Sequence, residues 1–200
     1  MRPFKKRSYY LGHKLAVSGL CPDSEKVTVV KKFPTPTNNR EIKQYLGLCC
    51  YYRRFIPNFS KIAKPLTELL RNAPFEWNQK TEEAFVILKE LLTTEPLLQY
   101  HDFTKPFVLT TDASSEALGA ILSQGPIGQD LPIAYASRTH NTAVRNYSIT
   151  EKELLAILWA CKQYIPYLYG KKFPILTAHK PLTWVFNVKD PSSRLLRWRL

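Results

Sequence analysis

The sequence predicts a small helical unit followed by an α/β domain built on a mixed sheet. Three observations lead to this fold class. Apolar residues recur at helical spacing after Asn38. From residue 105 the pattern changes to short apolar strands bounded by turn residues. The elements of this second half then follow the order strand, strand, strand, helix, strand, helix, which is typical of an α/β layout.

The helical unit is predicted from its cap and its apolar face. Residues 31–38 contain two prolines and are expected to be extended, because proline disfavours the α region for the residue before it. Asn38 and Glu41 have the spacing of a capping box. The apolar residues that follow at helical spacing are Ile42, Tyr45, Leu46, Cys49 and Tyr52. Pro57 ends this helix, and residues 39–71 as a whole are expected to be helical.

A β-hairpin is predicted before the helical unit, and one longer helix after it. Residues 9–17 contain two short segments that suit paired strands, with Ser18-Gly19 as a turn signal. Asn78 is suited to the N-cap of the later helix. The apolar residues of that helix fall on one face: Ala84, Phe85, Leu88 and Leu91. The helix is expected to end before Pro96.

The second half is predicted to form one sheet with flanking helices. Three strands are expected, at 106–112, 116–124 and 131–138. Ser148 and Glu151 have the spacing of a second capping box, which opens a helix to about Tyr164. A fourth strand is expected at 173–178 and a short helix at 180–187. The first and fourth strands can lie parallel and adjacent, so their carboxyl ends are expected to meet.

The distribution of charge indicates a polyanion partner. The chain has a formal net charge of +13 and a pI near 9.6. Residues 1–78 hold 15 Lys and Arg against 5 Asp and Glu, so most of the positive charge lies there. The alternative is an ordinary basic soluble protein, but aromatic residues alternate with the basic ones, which favours nucleic acid.

The cysteines and the apolar segments indicate an intracellular protein without a membrane span. Cys21, Cys49, Cys50 and Cys161 form no CxxC pair and no zinc-site spacing, so they are expected to be reduced thiols. The longest apolar run, residues 154–161, is too short to cross a bilayer, and no signal-peptide core is present. A cytoplasmic or nuclear location, without secretion, is therefore expected.

Ordered sequence blocks along nearly the whole chain resemble one family. They include Tyr10-Leu11-Gly12-His13, the segments 45–48 and 51–60, Leu109-Thr110-Thr111-Asp112-Ala113-Ser114, and the segments 118–124, 151–157 and 179–184. In these blocks the chain resembles the C-terminal part of the reverse transcriptase of gypsy-type long-terminal-repeat retrotransposons. The resemblance implies a fragment of a Pol polyprotein, with the rest of that polyprotein as a partner.

The resemblance also implies a division of the chain. Residues 1–30 resemble the end of the palm with a primer-grip-like hairpin, and residues 31–77 resemble the thumb. Residues 78–104 resemble the connection, and residues 105–200 resemble a ribonuclease H domain that is incomplete at its C-terminus. The chain contains no Asp-Asp dipeptide, so the polymerase centre of the family is absent from it.

A ribonuclease H site hydrolyses the RNA strand of an RNA–DNA hybrid with two Mg²⁺ ions roughly 4 Å apart. Such ions require a cluster of oxygen ligands. The resemblance assigns the first two carboxylates, as catalytic and metal ligands, to Asp112 and Glu153. The alternatives from the residues alone are a turn residue at the end of a strand for Asp112 and a first-turn acid complementing the helix dipole for Glu153.

One position departs from the family pattern. The family has Thr-Asp-His where this chain has Thr177-Ala178-His179, and an alanine side chain binds no cation. Imidazole is a poor ligand for a hard ion, so His179 is not expected to replace the carboxylate. The fourth family aspartate is expected beyond Leu200. The ancestral nuclease activity is therefore expected to be lost.

The resemblance assigns the thumb to nucleic-acid binding. The candidate binding residues are Gly12, Gly47, Arg53, Arg54, Lys61 and Lys64. Gly47 has two interpretations: close approach of a helix to a duplex minor groove, or close packing between helices. Tyr45, Tyr51 and Tyr52 also have two interpretations: a part in the binding surface of the thumb, or an ordinary core position. The core position is favoured for Tyr45.

Two functional hypotheses follow from these observations. The first is an enzyme fragment that binds and cleaves hybrids, and the second is a decayed or co-opted module that binds RNA–DNA hybrid or duplex without cleaving it. Ala178 favours the second. A third hypothesis, a module that binds only proteins, predicts no salt-dependent binding to duplexes.

Overall fold

A computed structural model describes residues 7–71, 74–94 and 96–178 of the chain. These residues form a three-stranded sheet, a group of helices and a four-stranded sheet, in that order along the sequence. The predicted mixed α and β architecture is confirmed. The predicted helix at 180–187 lies outside the described residues.

The first sheet contains the predicted hairpin and one further strand. Strands β1 (Arg7–Tyr10), β2 (His13–Ala16) and β3 (Gly19–Pro22) pair in that order, all antiparallel. The β1–β2 turn places Leu11 at φ 45° and Gly12 at φ 67°. A glycine adopts such a conformation without the steric cost that other residues incur. The backbone conformation of the turn is therefore enough to explain a glycine at position 12, without a role in binding.

Helix α1 (Ser24–Lys31) follows β3 and was not predicted. Its N-terminus is capped by Asp23, whose side chain accepts a hydrogen bond from the backbone N–H of Glu25 at 3.0 Å. Only Val30 of this helix is buried, so α1 has no apolar periodicity from which it could be recognised. The Asp cap was its one sequence signal.

Helix α2 (Asn39–Tyr51) begins at the predicted cap. The Asn38 side chain accepts from the backbone N–H of Glu41 at 3.0 Å. The Glu41 carboxylate reaches one residue beyond the cap and accepts from the backbone N–H of Thr37 at 2.7 Å. These hydrogen bonds lower the pKa of Glu41, with the bond from the Thr37 backbone as the largest cause.

Three more helices follow a 3₁₀ turn at Arg53–Phe55. They are α3 (Phe59–Ile62), α4 (Lys64–Glu68) and α5 (Gln79–Thr93), and the last has a capping box between Asn78 and Thr81. From here on, the helical unit means α2 to α5, which share one core. One hydrophobic core joins α2 to α5; among its fully buried residues are Ile42, Tyr45, Leu66, Leu88 and Leu92. The predicted connection helix α5 therefore shares its core with the thumb-like helices.

The second sheet has the strand order β6-β5-β4-β7. Strands β4 (Phe107–Ala113), β5 (Ala117–Gln124) and β6 (Leu131–Thr139) are antiparallel neighbours, and all three were predicted. Strand β7 (Ile175–Thr177) lies parallel to β4, with Thr111 in register with Thr177. The predicted parallel pair is confirmed, so Asp112 and Ala178 are the next residues along adjacent strands.

Three helices, α6 (Thr142–Arg145), α7 (Ile149–Gln163) and α8 (Ile165–Leu168), follow β6. The predicted capping box opens α7, which packs against β4 and β5. The second core lies between this helix and the sheet; it includes Phe107, Leu109, Leu122, Ala160 and Tyr164. The hydroxyl of Tyr164 donates to the Ala134 carbonyl of the edge strand at 3.0 Å.

The helical unit packs against the opposite face of the same sheet. The backbone N–H of Ser60 donates to Oγ of Ser137 at 2.8 Å, and the Lys64 ammonium pairs with the Glu116 carboxylate. Tyr135 packs against the core of the helical unit. The sheet is therefore enclosed between α7 on one face and the helical unit on the other.

Candidate nuclease site and nucleic-acid surface

Asp112 lies on the face of the sheet that meets the helical unit. Its antiparallel partner is Gly119, which pairs in turn with Ser137, and directly opposite residues of paired strands project to the same face. A Cβ atom added to Gly119 would lie 3.1 Å from Oδ1 of Asn58. Asp112 itself is exposed.

Glu153 approaches the sheet from the other face. It lies one turn into α7 and is only 5% exposed. Its Oε2 atom accepts a hydrogen bond of 3.5 Å from Oγ1 of Thr177, at the end of β7. Thr177 is in register with Thr111, whose side chain lies on the face opposite to that of Asp112 because successive residues of a strand alternate.

The donor set does not fit a pair of Mg²⁺ ions. At the third carboxylate position of the family, Ala178 contributes only a methyl group. Within residues 7–71, 74–94 and 96–178 no cluster of three or more His, Cys, Asp or Glu side chains could hold a metal ion. Octahedral Mg²⁺ needs several oxygen ligands on one centre, so the described residues do not by themselves supply the ligand set of a two-metal site.

The surroundings of Asp112 are supplied by the helical unit. Asn58, Lys61 and Asp112 line one small hollow of about 40 Å³, together with Ser114 and Gly119. Asn58 adopts a left-handed conformation, with φ 54°, at the start of α3. The sequence did not identify Asn58 as a neighbour of the carboxylate, because no local pattern connects two residues 54 positions apart in different units.

The four predicted thumb cations have different environments. Arg53 and Lys61 are exposed. Arg54 is partly buried, and its Nη2 atom donates to the Ile133 carbonyl at 3.5 Å. Lys64 forms ion pairs with Glu68, at 3.6 Å, and with Glu116. Arg54 and Lys64 therefore contact the four-stranded sheet domain, a role that the sequence did not predict.

Gly47 is exposed in the middle of α2. Apart from its two chain neighbours and the backbone of its own helix, no heavy atom of the described residues would lie within 4 Å of a Cβ atom added there. The interpretation of Gly47 as a helix-packing residue is therefore wrong. A glycine inside a helix costs about 1 kcal/mol relative to alanine, and intramolecular packing does not offset this cost.

Two tyrosines join the end of α2 to the hairpin turn. The hydroxyls of Tyr51 and Tyr52 donate to the carbonyls of Leu11 and Gly12, respectively. The His13 ring stacks on Tyr51 at 5.6 Å and 10°. Burial, with a smaller contribution from the Arg54 charge, lowers the pKa of His13. Tyr52 is buried, Tyr51 is 53% exposed, and Tyr45 is a core residue as predicted.

The arrangement has counterparts among known proteins. Residues 102–200 match the family described as the RNase H-like domain found in reverse transcriptase. The Pol polyprotein of transposon 297 from Drosophila melanogaster is 48% identical over 198 residues, which are 98% of this chain and 18% of that protein. That of transposon 412 from the same organism is 45% identical over 96% of this chain and 16% of the relative.

This chain belongs to the reverse transcriptase and ribonuclease H family of gypsy-type retrotransposons. The chain is also 35% identical to the transposon Tf2-3 polyprotein of Schizosaccharomyces pombe, over 96% of this chain and 15% of the relative. The chain spans a fifth or less of the length of these Pol polyproteins.

Solved structures of the foamy viral protease-reverse transcriptase share the fold of this Pol segment. One, in complex with double-stranded DNA, has a TM-score of 0.82 at 23% identity and covers 97% of this chain and 42% of the viral one. Another, in complex with an RNA/DNA hybrid, has a TM-score of 0.78 at 24% identity over 98% of this chain and 27% of the viral one.

Two further observations bear on the predictions made for this Pol segment. None of the four cysteines, which all lie within the described residues, forms a disulfide, as the spacing predicted. Among the described residues, no helix has the length and apolar character that crossing a bilayer requires.

Proposed function

We propose that this chain is a Pol segment that binds RNA–DNA hybrid or duplex nucleic acid through α2 and the adjoining hairpin. The observation that carries the proposal is Gly47. Its backbone is uncovered on the outer face of a helix, where a side chain would be tolerated sterically and would favour the helix. A glycine at that position suits the close approach of a helix backbone to a groove.

The residues around Gly47 suit a polyanion. The exposed residues of α2 at helical spacing are Arg40, Lys43, Gln44, Gly47 and Tyr51, and Arg53 follows them; we call these residues the α2 stripe. It carries positive charge and no carboxylate. The buried residues of the same helix lie on the other side, so the stripe is free for a partner.

The hairpin extends the stripe in space. Tyr51 and Tyr52 hold the turn at Leu11 and Gly12 against the C-terminal end of α2. Tyr9 and Tyr10 are more than half exposed in β1 beside that turn. Aromatic rings next to a basic helix are suited to contact bases and sugars while the cations neutralise phosphates. The foamy viral relatives of this fold, in complex with double-stranded DNA and with RNA/DNA hybrid, support the same partner class.

The proposed function does not include cleavage by the chain as it stands. A decayed ribonuclease H site is supported by Ala178 and by the described residues, among which no cluster of three or more His, Cys, Asp or Glu side chains could hold a metal ion. The second candidate, an active Mg²⁺-dependent nuclease fragment, rests on the family membership of residues 102–200. The remainder of the Pol polyprotein is the proposed protein partner.

A binding titration across salt concentrations tests the proposal. The double variant Arg40→Gln and Lys43→Gln removes two charges from the α2 stripe, and Lys80→Gln with Lys162→Gln removes two exposed charges elsewhere. We expect the log–log salt slope for hybrid binding to fall by about 0.9 for each lost phosphate contact in the first variant only. The proposal would be contradicted if the hybrid affinity of the unmodified chain did not depend on salt. It would also be contradicted if the salt slope fell by the same amount in the control variant.

A further inference from the structure

A second basic surface lies behind the edge strand of the sheet. A cleft of about 450 Å³ separates the 3₁₀ turn of the helical unit from α7 and α8, and residues 134–138 of the edge strand β6 form its floor. Its polar and aromatic lining includes Arg53, Arg54, Arg138, Trp159, Gln163 and Tyr167. We call it the edge cleft. Neither the α2 stripe nor the ancestral nuclease residues explain it.

The charge of the edge cleft is uncompensated. Three arginines line it, and no Asp or Glu does. None of the three forms an ion pair with another described residue. Nε of Arg54 is buried without a hydrogen-bond partner, and the one side-chain bond of this guanidinium is the long contact to Ile133. Each guanidinium has five N–H donors, so the cleft offers a surplus of donors to an anion.

The aromatic rings select the kind of anion. The guanidinium of Arg138 lies 5.9 Å from the centroid of the Trp159 ring, and Tyr167 lies on the same wall. Arginines together with aromatic rings are how proteins hold single-stranded nucleic acid, whose phosphates pair with the cations and whose bases stack on the rings. The volume lies within the range of pockets for small ligands, so it suits one nucleotide unit rather than a duplex.

An added peptide strand fits the edge cleft less well. Strand β6 is an edge strand, and edges of this kind can pair with an extended peptide. Here the Ile133 carbonyl accepts from Arg54, and the Ala134 carbonyl accepts from Tyr164. These backbone acceptors are already bonded, and the lining offers charge rather than the alternating apolar pockets that a peptide strand uses.

We infer that the edge cleft binds an unpaired nucleotide of a single strand, with Arg138 on a phosphate and the aromatic wall against a base. This inference extends the proposed function, because Tyr51 and Arg53 border both the α2 stripe and the edge cleft. A nucleic-acid strand that separates from a duplex bound on α2 would therefore reach the edge cleft next. Arg138 lies in the edge cleft alone, so it separates the two surfaces experimentally.

Fluorescence anisotropy with two probes tests this assignment. The probes are a labelled oligothymidylate of about six nucleotides, within the site sizes of single-strand binders, and a blunt RNA–DNA hybrid. For Arg138→Gln we expect about tenfold weaker binding of the single strand, and hybrid affinity within about twofold of the unmodified chain. The matched control is Arg145→Gln, which removes another exposed arginine, from α6.

A second substitution adds charge without removing a contact. Gln163→Glu places a carboxylate at the rim of the edge cleft, and Gln129→Glu places one on a distant exposed turn. Only the first is expected to weaken single-strand binding. The assignment is overturned if Arg138→Gln leaves single-strand affinity unchanged, if hybrid affinity falls in parallel, or if poly-glutamate displaces the oligothymidylate as well as unlabelled oligothymidylate does.

Discussion

The hydroxyl of Tyr52, at the end of α2, donates a hydrogen bond of 3.0 Å to the carbonyl of Gly12 in the hairpin turn. Burial raises the pKa of Tyr52 to about 12, so its hydroxyl remains protonated and able to donate at ordinary pH. The same carbonyl accepts from the backbone N–H of Asp23 at 3.1 Å. The hairpin and the helix are thereby held as one surface, which any ligand contacting both would require.

Removal of the two tyrosine hydroxyls should loosen that surface. For Tyr51→Phe with Tyr52→Phe we expect a loss of about 1 kcal/mol in the free energy of unfolding per hydrogen bond, because the Leu11 carbonyl loses the Tyr51 donor and the Gly12 carbonyl keeps only the Asp23 backbone N–H. Urea denaturation measures the loss, and Tyr169→Phe on an exposed tyrosine is the control. Hydrogen exchange in β2 should rise in the double variant; unchanged exchange would mean that the hairpin is held by other contacts.

Substitution of Gly47 should move stability and binding in opposite directions. Gly47→Ala is expected to raise the free energy of unfolding by about 0.5–1 kcal/mol, since alanine favours the helix and meets no neighbour. Hybrid binding is expected to weaken about tenfold, which corresponds to about 1.4 kcal/mol. Gly47→Leu should weaken binding further while the helix remains stable. If both variants bind hybrid as tightly as the unmodified chain, α2 is not the surface of close approach.

We predict that the chain does not cleave RNA–DNA hybrids. The chain is expected to release no measurable product from a labelled RNA–DNA hybrid in Mg²⁺ or Mn²⁺, and Ala178→Asp alone should restore little, because metal ligands must be held to about half an ångström. Asp112→Asn should leave hybrid binding within about twofold. Robust Mg²⁺-dependent cleavage that is abolished by Asp112→Asn would show that the site has acquired another ligand.

The contact between Lys64 and Glu116 should make stability depend on pH in the acid range. The Lys64 ammonium, as a hydrogen-bond donor, lowers the pKa of the Glu116 carboxyl below its ordinary value of 4.5. The stabilisation is therefore complete above pH 4.5 and is lost as the pH falls through the lowered pKa of the folded state. Because both side chains are partly exposed, we expect Glu116→Gln to cost less than about 1 kcal/mol at pH 7.

The measurement for this pair is a set of urea titrations of the unmodified chain and Glu116→Gln between neutral and acid pH. The difference in the free energy of unfolding between the two proteins should shrink as the pH falls below 4.5. Asp102→Asn, which removes a partly exposed acid paired with Lys105 outside the interface, is the comparison. If the difference in the free energy of unfolding stays constant through the acid range, the ion pair does not stabilise the contact between the helical unit and the sheet.

Local signals in the sequence were sufficient for most elements of the fold. Helices α2, α5 and α7 begin at the caps that Asn38, Asn78 and Ser148 predicted, because a cap acts through backbone groups only a few residues away. Strands β4, β5 and β6 followed from their apolar runs and turns. The parallel pairing of β4 with β7 followed from the order of the elements, which leaves few topologies for such a sheet.

The sequence by itself determined the family, the capped helices, the strand order, and the replacement of one family carboxylate by Ala178. Only the tertiary structure decided which faces meet. It placed Asp112 beside Asn58, gave Lys64 a partner in Glu116, and left Gly47 uncovered by other described residues. The reason is physical: caps and periodicity act over a few residues, whereas the packing of one unit on another depends on side chains more than fifty positions apart that no local pattern connects.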